Sequence, residues 1–403
     1  MTYRFAGCAR LLFATLLLSA LSVTISAQQQ KALPLSPLPP MGWSSWNHYG
    51  KKVTEVDVRA NADALVSSGL SKLGYVYVNL DGSWEADRDA DGTMGVNHTR
   101  FQDMKALGDY IHAKGLKFGI YSSPGPRTCG GFVASYGHEE QDAQTFANWG
   151  ADYLKYDLCT FHEKMADKEQ EAGHQAAVQL EIDAYKKMQQ ALIKTNRPML
   201  FALCQYGTDY VWKWAPSVGA TMYRTTIDIK DNWDSMTNVG FAQAGLAKYA
   251  GHGHYLDPDS LEIGNGVLKP EEERLQMSLW SIIAAPLILG NDVSHMSAET
   301  LDILSNTEVI AIDQDPLVQP GDRVWAEGME EVWTRPLAGG KLAVALFNRG
   351  HLPIEMTLDL KQVGWKGGSA TARDVWVHKD VSVKNSATFL VPKHGVTLFV
   401  LSR

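Results

Sequence analysis

Cysteine is scarce in this sequence: Cys8, Cys129, Cys159 and Cys204 are all that 403 residues hold. So few cysteines exclude a disulfide-stapled scaffold, and no Cys-x-x-Cys pair offers a zinc site. Positive charge is in the minority, with 37 Lys and Arg against 45 Asp and Glu and a formal charge of −8. An acidic chain is poorly suited to nucleic acid; a neutral or cationic small ligand suits it better. Internal repeats and low-complexity tracts are missing, which leaves no basis for an adhesion array or a coiled coil.

Long apolar runs are confined to the first residues. Arg4 and Arg10 flank the start of a run from Leu11 to Leu21, and Ile25-Ser26-Ala27 before Gln28 reads as a signal-peptidase site. The run is too short for a membrane span, so residues 1–27 are expected to be a signal peptide. The product is then exported, to periplasm or medium, with no membrane attachment after cleavage. The leader carries no acidic residue, so the mature chain is more acidic than the whole.

Eight short apolar runs follow, each ending in polar or aromatic residues: Met41–Trp46, Tyr75–Asp81, Lys117–Ser123, Tyr153–Cys159, Pro198–Gln205, Thr221–Asp228, His254–Asp259 and Ala285–Gly290. Near-continuous apolarity suits strands buried on both faces of a parallel sheet. Helical stretches lie between most of them. Thr54 caps the first, with Val58, Ala62, Leu65 and Val66 on one face and Gly69 at its end; others are expected at Phe101–Lys114, Glu139–Trp149 and Gln175–Lys194. Eight strands alternating with helices predict a (β/α)₈ TIM barrel over 28–315, with an open doubly wound sheet as the competing architecture. No Gly-x-Gly-x-x-Gly follows the first strand, which counts against a dinucleotide site there. Beyond Asp315-Pro316 and Gln319-Pro320-Gly321-Asp322 the segments are short and alternating, as in Ile354–Leu360. Residues 316–403 therefore read as a small C-terminal antiparallel β-sandwich with a packing role.

Barrel sites lie at the C-terminal ends of the strands. Those ends deliver Trp43 and Trp46, Asp81 and Trp84, Tyr121, Lys155 and Asp157, Gln205 and Tyr206, Arg224 and Asp228, then Asp257 and Asp259. A single strand-end Asp is usually a turn or loop cap. Carboxylates, aromatic rings and two cations around one rim make a sugar pocket. Glycoside hydrolysis needs two carboxyl groups flanking the scissile bond, about 5–5.5 Å apart when configuration is retained. Asp157 is the candidate nucleophile, with Lys155 on the same strand face to hold it ionised. Asp228 is the candidate acid/base, with Arg224 four residues before it.

The sequence resembles the alpha-galactosidase (melibiase) family, glycoside hydrolase family 27. The resemblance covers nearly the whole mature chain and is carried by Pro40-Met41-Gly42-Trp43-Ser44-Ser45-Trp46-Asn47, Tyr153-Leu154-Lys155-Tyr156-Asp157-Leu158-Cys159, Tyr223-Arg224-Thr225-Thr226-Ile227-Asp228-Ile229, Asp257-Pro258-Asp259, Gly264-Asn265-Gly266 and Ala285-Pro286-Leu287-Ile288-Leu289-Gly290. It implies a barrel with a C-terminal β-domain and a retaining exo-acting hydrolase of terminal alpha-linked galactose, with Asp157 as nucleophile and Asp228 as acid/base. It implies further that Trp46, Asp81, Tyr121, Lys155, Arg224 and Asp259 line the sugar pocket, and that no metal or organic cofactor is used. Cys129 and Cys159 match a bridge of the family, leaving Cys204 as a free thiol.

The sequence departs from the family where Gly82 stands in place of a second Asp and Ser83 in place of a Cys; Lys51 occupies that Cys's partner position, so that bridge is absent. In the family the paired carboxylates hold the sugar's 4- and 6-hydroxyls. Loss of one charge-assisted hydrogen bond costs about 1.5–3 kcal/mol, enough to shift preference tenfold. Ser260 replaces a common Met, and Gln205-Tyr206 replaces Glu-Trp in the loop that faces the 2-position. A beta-L-arabinopyranoside and an alpha-N-acetylgalactosaminide thus stand beside alpha-galactoside as candidate substrates. A barrel that only binds glycans is the alternative of another class, and the presence of both Asp beside Lys and Arg weighs against it. His252-Gly253-His254 has no third ligand at zinc spacing. Asn97-His98-Thr99 is a glycosylation sequon. Trp149, Trp212, Trp214, Trp233 and Trp280 read mainly as packing, and the charged stretch from His162 to Lys187 as a solvated helix face with its loop.

Overall fold

Eight parallel strands form along the eight apolar runs: β1 (Met41–Ser44), β2 (Tyr77–Asn79), β3 (Lys117–Ser122), β4 (Tyr153–Asp157), β5 (Leu200–Cys204), β6 (Met222–Arg224), β7 (Tyr255–Asp257) and β8 (Leu287–Leu289). The structure is a computed structural model and describes residues 36–403. The expected leader lies outside the described residues, among which no helix is long and apolar enough to cross a membrane. The strands pair in the order β8-β1-β2-β3-β4-β5-β6-β7. Just after β7, Leu261 bridges Leu289 of β8 in parallel, its N–H donating to the Ile288 carbonyl at 2.7 Å. That bridge closes the ring, so the sheet is a barrel and not an open one.

The two-residue period of each strand sorts the side chains. Val78, Phe118, Ile120, Leu154, Tyr156, Phe201, Leu203, Tyr223 and Leu256 join the apolar cluster beneath the helices. Their neighbours Tyr77, Tyr153, Leu200, Ala202, Met222 and Tyr255 form a separate cluster with Val318 and Leu38. Further along the same strands the inward positions turn polar, and this gradient creates the site. Gly119 makes room in the interior: a Cβ there would lie 2.0 Å from Asn79 Oδ1.

The outer helices are α1 (Glu55–Ser67), α2 (Met104–Ala113), α3 (Glu139–Trp149), α4 (Phe161–Ala172), α5 (His174–Lys194), α6 (Trp233–Phe241), α7 (Pro270–Ile282), α8 (Ala298–Leu304) and α9 (Thr307–Asp313). Thr54 and Asp57 cap α1 reciprocally, which satisfies two of its orphan N–H groups. The inward face of α1 differs from expectation. Val66 is exposed, and Asn61 is buried in its stead. Asn61 bears burial because Nδ2 donates to Tyr49 Oη and the Asp57 carbonyl while Oδ1 accepts from Val293 N–H. The charged stretch from His162 is two helices broken at Gly173, and it is not wholly solvated: Glu181 of α5 is fully buried. Short 3₁₀ turns, rather than an α-helix, join β5 to β6.

The C-terminal segment forms β9 (Asp322–Glu327), β10 (Glu330–Leu337), β11 (Lys341–Asn348), β12 (Ile354–Asp359), β13 (Ser369–Asp374), β14 (Lys379–Lys384), β15 (Ser386–Val391) and β16 (Gly395–Ser402). They pair antiparallel in the order β9-β10-β11-β16-β13-β14-β15-β12. Between β14 and β15 only Lys384 and Ser386 pair. There the sheet turns over, so Met356, Leu358 and Val391 cover Val344, Leu346, Phe399 and Leu401. The other face of β10, β11 and β16, with Trp333, Ala345, Phe347 and Leu398, continues the barrel's core. Arg335 of β10 anchors this contact. Its guanidinium donates to the carbonyls of Ser281 (2.6 Å), Asp313 (3.1 Å) and Gln319 (3.0 Å). Two of these carbonyls end α7 and α9, where a cation is favoured.

Candidate active site

A cleft of about 610 Å³ opens at the C-terminal ends of the barrel strands. Trp46, Asp81, Tyr121, Lys155, Asp157, Tyr206, Arg224, Asp228 and Asp259 all line it. Lys155 and Asp157, two residues apart, point inward from β4 as the strand period requires. Arg224 points inward from β6, and Asp228 and Asp259 follow β6 and β7.

Asp157 is buried at the floor. Tyr206 Oη donates to its Oδ1 at 2.8 Å and Tyr121 Oη to its Oδ2 at 3.2 Å. Burial raises its pKa, while the Lys155 charge and the Tyr206 hydrogen bond oppose that rise. Lys155 does not pair with Asp157 directly; its Nζ donates to Asp81 Oδ2 at 2.8 Å. Its support for an ionised Asp157 therefore acts through space. Burial alone would lower the Lys155 pKa, but Asp81 and the other anions around it outweigh burial and hold it well above the usual value.

Asp228 stands at the mouth, its side chain 56% exposed. Arg224, buried, bridges Asp228 Oδ1 and Asp259 Oδ2, each at 3.0 Å. Asp259 is set by Ile229 N–H on Oδ2 (2.9 Å), Ser260 N–H on Oδ1 (2.8 Å), and Trp280 Nε1 on its carbonyl (2.8 Å). Its φ of 86° is left-handed, a conformation an Asp holds only when its surroundings dictate it.

Gln205 is not brought to the cleft. It is fully buried; Oε1 accepts Gly207 N–H at 2.7 Å, so it shapes the turn that presents Tyr206. Trp43, Trp84 and Asp257 are likewise buried behind the wall. Cys129 and Cys159 form a disulfide at the rim, and Cys204 is a buried free thiol. Among the described residues, the grouping close enough to share an ion is Cys129, Asp157 and Cys159, and its sulfurs are taken by that disulfide. His254 is held by the Ala220 carbonyl at 2.7 Å.

Beside Asp81, a Cβ added to Gly82 would stand 3.1 Å from the Tyr121 ring and 3.8 Å from Glu85 Oε1. Glu85 is 2% exposed and does not line the cleft. Its Oε2 accepts Ser83 N–H at 2.6 Å, its Oε1 has no hydrogen-bond partner among the described residues, and burial pushes its pKa up to about 8. A buried carboxyl thus lies against position 82 but behind the wall. Sequence reasoning gave no role to Glu85, nor to Asn47, His48, Lys230, Asp231, Glu262 and Asn265, which line the cleft's second side. The signal for some of them was present in the quoted segments that contain Asn47 and Gly264-Asn265-Gly266.

Residues 38–315 match the family model described as alpha galactosidase A, and residues 327–401 the alpha galactosidase C-terminal beta sandwich domain. The chain is 42% identical over 373 residues to an alpha-galactosidase of Cyamopsis tetragonoloba, covering 91% of this chain and 87% of that one. It is 40% identical over 409 residues to alpha-galactosidase A of Cellvibrio japonicus, covering 96% and 97%. The solved structure of alpha-galactosidase I from Mortierella vinacea superposes with a TM-score of 0.84 at 36% identity, covering 91% of this chain and 97% of that one.

Proposed function

Because the chain belongs to the alpha-galactosidase (melibiase) family, we propose that it is an exported, retaining, exo-acting alpha-galactosidase that removes terminal alpha-linked galactose from oligosaccharides or glycans. The observation that carries this reading is the pairing of a buried, phenol-held Asp157 with an exposed, arginine-held Asp228 in one cleft. Asp157 attacks the anomeric carbon, and its Oδ forms the glycosyl ester as the bond to the leaving oxygen breaks. Asp228 gives its proton to that oxygen, then takes one from the water that opens the ester. Lys155 balances the charge on Asp81 and Asp157 before attack. Tyr206 and Tyr121 hold Asp157 in one orientation. Trp46, Asp81, Arg224 and Asp259 bind the sugar. In this reading the barrel spans 28–315, the packing domain 316–403, and the mature chain starts after Ala27.

The test is hydrolysis of an aryl alpha-galactoside by the mature protein, followed by NMR. The alpha anomer is expected first, and Asp157→Asn should lose about 10⁴-fold or more in kcat. Beta anomer as the first product would overturn retention. Gly82 favours a second reading, a beta-L-arabinopyranoside, which lacks the hydroxymethyl group and needs one partner fewer. A kcat/KM more than about tenfold higher on that glycoside, or on the N-acetylgalactosaminide, would reassign the sugar.

A further inference from the structure

The chain as a whole carries a formal charge of −8, yet one groove on the C-terminal domain is positive. Its volume is about 820 Å³, against about 610 Å³ for the catalytic cleft. Lys366, from the loop before β13, Lys384 of β14 and Arg403 line it, and no Asp or Glu side chain does. The strand period builds the floor. Ala370, Ala372 and Val383 turn into the sandwich core, so Ser369 and Thr371 of β13 and Ser382 and Lys384 of β14 face solvent. The register sets Ser369 opposite Lys384 and Thr371 opposite Ser382. On the other side of β13, Thr371 pairs with Ser402, the residue before Arg403. The loop that carries Lys366 is held in place: Asn385 N–H donates to the Gly368 carbonyl at 2.8 Å, and Trp365 Nε1 to the Ser369 carbonyl at 3.0 Å.

The side chains of Lys366, Lys384, Arg403, Ser369, Thr371 and Ser382 have no hydrogen-bond or ion-pair partner among the described residues. Arginines elsewhere in this domain are neutralised. Arg373, two residues beyond Thr371, meets Glu308 at 2.9 Å and Asp380 at 3.5 Å, and Glu331 takes both Arg323 and Arg349. The carboxylates of β13 and β14 stand at the far end of the strands and are engaged there. Asp380 lies about 13 Å along β14 from Lys384, and Asp374 accepts the N–H groups of Trp376 and Val377. Even with the α-carboxylate of Arg403 counted, three side-chain cations face one anion.

The chemistry of the floor selects the occupant. The cations suit an anion, and hydroxyls that both donate and accept suit a sugar. Base stacking needs an aromatic platform, and none lines the groove among the described residues. Insertion into a lipid surface needs exposed apolar side chains, and the apolar residues Ala370 and Val383 are buried. We propose that this groove is a binding site for an acidic polysaccharide, with Lys366, Lys384 and Arg403 taking the carboxylates of uronate units and Ser369, Thr371 and Ser382 their hydroxyls. The choice of a glycan rests on the galactosidase reading. The groove would hold the enzyme on a charged glycan matrix while the cleft works on galactose.

The experiment measures binding of the full chain to polygalacturonate at low salt. It is repeated on the triple variant Lys366→Ala, Lys384→Ala, Arg403→Ala. A control triple variant, Lys72→Ala, Lys186→Ala, Lys393→Ala, removes the same charge from exposed lysines outside the groove. The groove variant is expected to bind about tenfold or more weakly, the sum of three exposed charge contacts, and the control to stay within about twofold of the parent. Salt should weaken the parent's binding. Turnover of aryl alpha-galactoside should be unchanged in both variants. No binding by the parent, equal losses in both variants, or a groove variant within twofold of the parent overturns the site. Single-stranded oligo-dT bound as tightly as polygalacturonate also overturns it, because charge alone would then explain the attraction. Parent turnover of aryl alpha-galactoside is the separate readout: its absence overturns the galactosidase reading, whereas the binding results bear on the groove.

Discussion

The barrel and the C-terminal sheet bend their chains in different places. In the barrel, four left-handed non-glycine residues stand just past strand ends, Ser83 (φ 94°), Cys159 (φ 40°), Tyr206 (φ 64°) and Asp259 (φ 86°), while others such as Asn196 and Ala284 sit in connections before strands. Each of the four is in the cleft wall or within two residues of a group that is. In the sheet domain, His378, Asn385 and His394 take positive φ in connections between strands. There the geometry only reverses the chain, a task Asn and His tolerate. At the rim it aims a phenol or a carboxylate, at a cost of order 1–3 kcal/mol per residue. The buried carboxylates differ in the same way. Glu331 of the sheet meets Arg323 and Arg349 at 3.3 Å and Trp333 Nε1 at 2.9 Å. In the barrel, both oxygens of Glu181 and one each of Glu85 and Asp313 lack hydrogen-bond partners among the described residues. Buried carboxylate oxygens without partners are thus found in the barrel, whereas the buried carboxylate of the sheet domain is fully paired.

Removing the strain at the rim gives the largest expected effect. Asp259→Gly suits φ 86° better than Asp, so on conformational grounds alone it should stabilise. It also removes the partner of Arg224 and the acceptor for Ile229 N–H. Activity on aryl alpha-galactoside is expected to fall about 10²-fold or more, with the protein still folded by circular dichroism. Unchanged kcat/KM would show that the strained rim residue has no functional task. The sheet domain should respond in the opposite sense. Leu346→Ala empties a position that is fully buried in the sandwich core. Stability should drop by about 2–5 kcal/mol in denaturant titration while kcat/KM per folded molecule stays put. A loss of activity at constant folded fraction would mean that the sheet domain reaches the site.

Much of the fold was legible in the sequence. The eight strands show because burial on both faces leaves apolar runs, and the polar ends of those runs mark the rim. Burial of the site residues was harder to read. Gln205 had a usable signal: Leu200, Ala202 and Cys204 of β5 face inward, so the next residue, Gln205, points away from the interior. Lys155 pairs with Asp81 across strands rather than with Asp157 along its own, and such pairing depends on how three strands splay at the rim. Asn61 in place of Val66 depends on Val293, far along the chain. Burial of Glu181, on an otherwise charged helix, is set by its tertiary surroundings. None of these leaves a local pattern.

Glu181 also gives the smallest effect, and one whose sign is fixed by linkage. Burial pushes its pKa up to about 8, and nearby Asp209 adds to the rise. In the unfolded chain the group titrates near the ordinary Glu value, about 4.3. Below that value both states are protonated, and the stabilisation from a raised folded pKa is fully present. As pH climbs from about 4.3 to 8 the unfolded state ionises first, and the native state loses stability relative to it. Glu181→Gln keeps the shape of the protonated acid and removes the titration. The variant should match the parent near pH 4.5 and become progressively more stable than it as pH rises toward 8, seen as a Tm difference that grows with pH. Thermal scans at both pH values measure this directly. A variant-minus-parent difference that is flat with pH, or that shrinks as pH rises, would mean that Glu181 finds a partner in the folded protein, and the distinction from the fully paired Glu331 would fail.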